Sequence, residues 1–210
     1  MPLQPPAGPE PQPLDAASID AVRAVYDLYD QPLWLITAAD GSAADSTRGG
    51  CIATFVARDS IVAELPRMVA GVARQHHTWR MIEASGRFAV YLLPADGLDL
   101  VWRFGLTSGH ETDKFAGLPD DRTPLGSPFV DQALAWLDCR VETSMSTGDR
   151  SIYLAAVTGG GVLDATAGPP LTANQLMARA PADKRAALDR LYARDGRIDA
   201  DAIKLWRQQR

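Results

Sequence analysis

Gly49-Gly50-Cys51-Ile52-Ala53-Thr54-Phe55-Val56 is an apolar strand pattern that carries small residues where large side chains ordinarily pack. Small residues on a strand let a flat, rigid group approach the backbone closely. Some way downstream, His76-His77-Thr78 opens a predicted helix. The free amides and positive dipole end of a helix start suit a phosphate. A flat ring joined to a phosphate describes flavin mononucleotide, FMN.

The strands around this segment set the fold class. Apolar runs predict strands over 33–38, 50–57, 67–73 and 88–93. The run Met68-Val69-Ala70-Gly71-Val72 is nearly continuous, which implies burial on both faces. Gly148-Asp149 predicts the turn of a hairpin between a long strand over 133–146 and a second over 151–158. Gly159-Gly160-Gly161 is expected to break the chain after it. Capping at Ser18 predicts a helix over 18–29, with Ile19, Val22, Val25, Tyr26 and Tyr29 on one side. Shorter helices are expected over 78–85, with Thr78 as N-cap and Gly86 as its stop, and over 98–107. This order is not the strict strand–helix alternation of a doubly wound sheet. Short strands around a closed core point to a barrel. Three stretches follow: a Pro-rich lead over 1–15, a mainly β domain with peripheral helices over 16–165, and a helical tail over 166–210. In the tail, Thr172 and Gln175 form a capping-box pattern. Pro181 is expected to open a helix that Gly196 stops, and Asp199 to cap a last one.

Composition removes several function classes. The 210-residue chain is 46% hydrophobic, enough for a sizeable core. Its net charge is −5 and no basic block precedes the last few residues, which argues against nucleic acid as a partner. No apolar run reaches transmembrane length, and the N-terminus lacks the basic and apolar segments of a signal peptide. The reading is a cytoplasmic protein without a membrane partner. Cys51 and Cys139 lie in apolar strand patterns and read as buried thiols. GxGxxG, GxxxxGK[ST] and GxSxG are absent, and so is zinc spacing among Cys and His. Adjacent His76 and His77 point apart on any regular element, so no metal site is expected.

Taken in order, the motifs resemble the flavin reductase-like proteins with an FMN-binding split β-barrel. The resemblance covers residues 32–158 and rests on seven pieces. They are Cys51-Ile52-Ala53-Thr54-Phe55; the turn Arg58-Asp59-Ser60; the buried strand near 68–72; His77-Thr78 with Glu83-Ala84-Ser85-Gly86; Phe88-Ala89-Val90-Tyr91-Leu92; Asp113-Lys114-Phe115; and Ala133 to Cys139 followed by Gly148-Asp149-Arg150-Ser151. The resemblance implies a homodimer with one FMN per subunit and NADH or NADPH as co-substrate. On it, Ala53, Thr54, Phe55 and Val56 contact the ring, and Arg58 and Ser60 meet the ribityl or phosphate arm. His77, Thr78 and Lys114 hold the phosphate end. The family's second strand often carries Thr-Ala-Ser-Ser, whereas Cys51-Ile52-Ala53-Thr54 keeps only the Thr54 hydroxyl. Many members have Gly-Asp-His before the last strand, where this chain has Gly148-Asp149-Arg150.

Two functions of different class follow: an NAD(P)H-dependent flavin reductase-like oxidoreductase, or a non-catalytic FMN-binding electron carrier. A dimer that has lost its cofactor, or a related barrel binding pyridoxine compounds or haem, stays open beside them. The tail lies outside the resemblance. Its apolar residues require burial, either around a partner subunit or over the flavin mouth.

Overall fold

The computed structural model describes residues 12–41, 46–166 and 168–209. Most of the Pro-rich lead and part of the turn after residue 40 lie outside the described residues. In chain order the elements are α1 (Ala16–Tyr26), β1 (Trp34–Ala39), β2 (Arg48–Ala53), β3 (Val56–Arg58), β4 (Arg67–Ala73), α2 (His77–Ser85), β5 (Arg87–Leu92), α3 (Leu98–Gly105), β6 (Ala135–Ser146), β7 (Arg150–Val162), α4 (Ala173–Arg179) and α5 (Ala182–Gln208).

The seven strands form one antiparallel sheet in the order β2-β1-β5-β6-β7-β4-β3. β2 and β3 are therefore opposite edges, yet only Thr54 and Phe55 separate them. In a flat sheet six strand spacings would hold the edges ~29 Å apart. The three virtual bonds from Ala53 to Val56 span at most ~11 Å. The sheet must curl until its edges nearly meet, and the result is the expected split barrel. The expected single strand over 50–57 is accordingly two strands, broken where the chain crosses the seam. The Val56 amide bonds back to the Thr54 carbonyl at 3.0 Å, and Gly71 of β4 donates to the Phe55 carbonyl at 2.8 Å.

Alternation along the strands sends residues to two cores. Ile36, Cys51, Val56, Met68, Val72, Phe88, Val90 and Tyr153 pack inside the curl with Met81 and Ile82 of α2. Leu35, Ala89 and Tyr91 face outward and are covered by Leu100, Val101 and Phe104 of α3, by Leu171 and Leu176, and by Leu188 of α5. β5 is thus buried on both faces, as its near-continuous apolar sequence requires. Trp34 and Trp79 pack on the inner core, Trp102 and Trp136 on the outer. The tail is knitted to the sheet: the amide of Leu33 donates to the Leu171 carbonyl, and the amide of Leu171 donates to Leu93.

Four local expectations are corrected. Asp15, not Ser18, caps α1, accepting from the Ser18 amide, and α1 stops at Tyr26 with no buried residue. Thr78 lies inside α2; His76 is the N-cap and supplies no side-chain bond. Gly159-Gly160-Gly161 continues β7, because a Cβ on Gly160 would sit 2.6 Å from the Trp136 carbonyl and from Leu137 Cδ2. Close packing on β6 selects glycine there. Gly196 does not stop a helix: α5 runs unbroken for 27 residues. Strong helix formers on both sides carry it through the ~1 kcal/mol cost of glycine. The capping box at Thr172 and Gln175 and the left-handed Gly86 at the end of α2 form as expected. No described helix is long and apolar enough to cross a membrane.

Candidate functional site

The seam that splits the barrel opens into a cavity of about 720 Å³. Its walls are the end of β2 (Gly50 to Ala53) with Thr54 and Phe55, Gly71 to Ala73 of β4, and the start of α2 at His76, His77 and Thr78. The end of α3, residues 107–112, Lys114, Arg150 and one face of α5 complete it. A site of this size encloses one cofactor-sized molecule.

Small residues bring these walls together. A Cβ on Gly49 would lie 2.8 Å from Thr78 Cα, so β2 and the first turn of α2 are in backbone contact. A Cβ on Gly50 would lie 2.6 Å from the Phe104 ring. Gly71 of β4 makes room for Phe55, whose ring occupies the space a Cβ there would take. Phe55 is nonetheless 48% exposed, lying on the seam with one side toward the cavity.

The start of α2 is built for an anion. The amides of His77 and Thr78 have no carbonyl within the helix to bond. The His76 side chain does not cap them, and the first turn holds no acidic residue. Their positive partial charge adds to the dipole of the helix. Thr78 is buried and walls the cavity together with Cys51. His77 and His110 meet edge to face at 4.9 Å, and His110 Nε2 lies 3.3 Å from the Gln75 carbonyl. Burial, then the neighbouring His110, Arg80 and Lys114, hold His77 below its ordinary pKa. Burial does the same to His76. The Nδ1 atoms of His76 and His77 are both buried without a partner, leaving unsatisfied polar groups beside the cavity.

Lys114 ties the floor together. Its Nζ donates to the Gly50 carbonyl at 3.0 Å and to the Phe104 carbonyl at 2.8 Å, joining β2 to α3. An ammonium has three donors, so one remains. Burial lowers its pKa.

Six of the nine sequence-derived site residues line the cavity: Ala53, Thr54, Phe55, His77, Thr78 and Lys114. Three do not. Val56 points into the inner core at 8% exposure. Arg58 ends β3 and Ser60 follows it, away from the cavity, and Arg58 Nε donates to the Ser60 carbonyl at 2.6 Å. His76, the polar loop 107–112, and Tyr192, Arg194, Asp195 and Ile198 of α5 also line the cavity without having been expected there, whereas Leu188 and Leu191 belong to the apolar tail residues for which a place over the mouth was one of two expectations. Thr107-Ser108-Gly109, small polar residues just after a helix, was the available signal for the loop. Arg150 reaches the wall but is held by two carboxylates, Asp149 Oδ2 at 2.6 Å and Asp199 Oδ2 at 3.1 Å. Among the described residues, no group of His, Cys, Asp and Glu is arranged to hold a metal ion.

A family model described as a flavin reductase like domain matches residues 26–179. The reductase subunit HsaB of a flavin-dependent monooxygenase from Mycobacterium tuberculosis is 37% identical over 94 residues, 45% of this chain and 49% of that protein. The match thus spans about half the length of that relative. A flavin reductase from Pseudomonas putida is 30% identical over 136 residues, 64% of this chain and 75% of that protein. Among solved structures, a homologue of nitrilotriacetate monooxygenase component B from Mycobacterium thermoresistibile superposes with a TM-score of 0.62 at 28% identity, covering 75% of this chain and 84% of that one. An FMN-binding protein from Thermus thermophilus shares the fold, with a TM-score of 0.58 at 19% identity over 80% of this chain and 86% of that one.

Proposed function

The chain belongs to the flavin reductase-like domain family, and from that premise we propose that it binds FMN in the seam cavity and reduces it with NADH or NADPH. The observation that carries this reading is the uncapped first turn of α2, set in backbone contact with the small-residue strand β2. That arrangement matches a planar ring bearing a phosphate. The partnerless Nδ1 atoms of His76 and His77 beside the cavity fit a ligand that brings hydrogen-bonding groups.

When bound, the flavin supplies the hydride and electron chemistry. The protein's work is binding, orientation and exclusion of water. The amides of His77 and Thr78 hold the phosphate, with Lys114 as a nearby cation. The backbone at Ala53, Thr54 and Phe55, with the Thr54 hydroxyl, orients the ring edge. Leu188, Leu191 and Ile198 keep water from the far side. No side chain needs to act as acid, base or nucleophile, in keeping with His76 and His77 being held toward the neutral form. Mixing the protein with FMN and either nicotinamide under anaerobic conditions should bleach the flavin absorption band. Bound FMN that neither nicotinamide bleaches would overturn the reductase reading.

That outcome would instead support an FMN-binding electron carrier. Arg150, paired with Asp149 and Asp199, stands where the family resemblance implies a histidine in many members, and this favours the second reading. A homodimer is proposed with either function. It would cover the apolar side chains that the α1–β1 and β3–β4 connections expose, among them Leu28 at 85% and Ile61 at 93%. Light scattering on the eluting peak reads the mass directly. A reducing compartment such as the cytoplasm suits Cys51 and Cys139, both free and buried.

A further inference from the structure

All three histidines of the chain, His76, His77 and His110, wall the cavity. His76 and His77 belong to the start of α2. His110 comes from elsewhere, on loop 107–112, which folds on itself. The Glu111 and Thr112 amides donate to the Ser108 carbonyl at 3.1 and 3.0 Å, and the His110 amide to Ser108 Oγ at 3.2 Å. Gly109 seats this loop on α2, because a Cβ there would lie 3.2 Å from His77 Cβ. The His110 ring then meets the His77 ring edge to face at 4.9 Å. Its Nε2 lies 3.3 Å from the Gln75 carbonyl. A carbonyl only accepts, so Nε2 carries the hydrogen and Nδ1 is left to take a proton.

The fixed charges at the proposed phosphate position fall short. Of the Lys and Arg side chains, Lys114, Arg150 and Arg194 wall the cavity. Arg150 is held by Asp149 and Asp199, and Arg194 by Asp195. Lys114 is left, with two of its three donors committed to the Gly50 and Phe104 carbonyls. A phosphomonoester carries close to two negative charges at neutral pH. Against it stand one ammonium and the partial charge of a helix start. Resting on the flavin reading above, we infer that His77 and His110 act as one proton-binding pair that supplies the missing positive charge, so that the phosphate of FMN binds together with a proton. Two imidazoles in contact take one proton between them, because two cations there would repel. Burial, then His110, Arg80 and Lys114, keep His77 neutral before an anion arrives, and Asp40 after β1 opposes them. Glu111, beside His110 in the loop, also walls the cavity. An anion on the His77 amide lies close to both rings and favours the charged form of the pair. The pair thereby selects a flavin that bears a phosphate over one that does not.

Calorimetric titration of the full chain with FMN and with riboflavin, each in two buffers of different ionisation enthalpy, counts the protons taken up. Near neutral pH the wild type should take up about half a proton per FMN and none per riboflavin. By linkage, FMN affinity should then rise about threefold for each unit that pH falls toward neutrality, with riboflavin affinity unchanged. His110→Gln keeps a donor for the Gln75 carbonyl but takes no proton. It should lose the uptake and bind FMN about fivefold more weakly. Its riboflavin affinity should stay at the wild-type value, which shows that the cavity is still formed. His110→Lys carries a permanent charge and should restore FMN affinity without proton uptake. Equal uptake with FMN and riboflavin, or undiminished uptake in His110→Gln, overturns the pair while leaving the flavin reading standing. Wild-type protein that binds neither flavin sinks the flavin reading, and the pair with it.

Discussion

Adding one methyl group at Gly49 probes the contact on which the site is built. In Gly49→Ala the new Cβ would lie 2.8 Å from Thr78 Cα, 3.1 Å from the Thr78 amide nitrogen and 3.1 Å from Met81 Cγ. The first two are backbone atoms, so no rotamer change relieves them. To restore ordinary contact the first turn of α2 must retreat from β2 by about 0.6 Å, an overpacking strain that costs ~1–3 kcal/mol. For a chain of this size that lowers Tm by about 2–12 °C. The same retreat draws the His77 and Thr78 amides away from the proposed phosphate position. Loss of one charge-assisted hydrogen bond, ~1.5–3 kcal/mol, weakens FMN binding about 10- to 100-fold. Gly86→Ala is the control. Gly86 closes the other end of α2 at φ 66°, and its Cβ would enter open space. Its left-handed conformation makes alanine cost ~1–2 kcal/mol there, while the start of α2 does not move. Differential scanning fluorimetry and fluorescence titration with FMN read the two effects separately. Both variants should melt lower, and only Gly49→Ala should lose FMN affinity. Wild-type FMN affinity in a destabilised Gly49→Ala, or equal losses in both variants, would refute the reasoning.

Lys114→Met should destabilise the fold by ~1–3 kcal/mol, because the Gly50 and Phe104 carbonyls lose their buried donor; an unchanged urea midpoint would show that Lys114 does not tie β2 to α3. Burial holds His76 and His77 below their ordinary pKa of 6.5, so both stay neutral in the folded state while the unfolded chain takes up protons. Stability is therefore unaffected by these groups above pH 6.5 and falls as pH drops below it, until the folded pKa is reached. Urea midpoints at neutral and mildly acidic pH should differ in the wild type and differ less in His76→Gln, and an equal slope would contradict the assignment.

Much of the barrel was legible because its inner and outer faces demand apolar residues at strand spacing. β4 and β5 read directly from their runs, and the β6–β7 hairpin from Gly148-Asp149. What escaped depends on partners distant in sequence. Nothing local marks the break at Thr54-Phe55; it arises because β2 and β3 fall on opposite edges of a curled sheet. That break also turns Val56 inward and carries Arg58 and Ser60 away from the cavity. The glycines at 159–161 look like a loop until Trp136 and Leu137 are placed across from them. Gly196 looks like a stop until α5 is seen to continue past it. That Ala53 to Phe55, His77, Thr78 and Lys114 share one cavity wall follows the signatures of strand end, helix start and cation that each carries locally. His76 and loop 107–112 were not legible, and for α5 the sequence left two places open, since only the folded chain brings them to the seam.

Diffraction from crystals soaked in FMN tests the central claim most directly. The isoalloxazine should lie along Ala53, Thr54 and Phe55, with phosphate oxygens within hydrogen-bond distance of the His77 and Thr78 amides. Density for the phosphate anywhere other than the first turn of α2, or a saturated soak that leaves the seam empty, would contradict it.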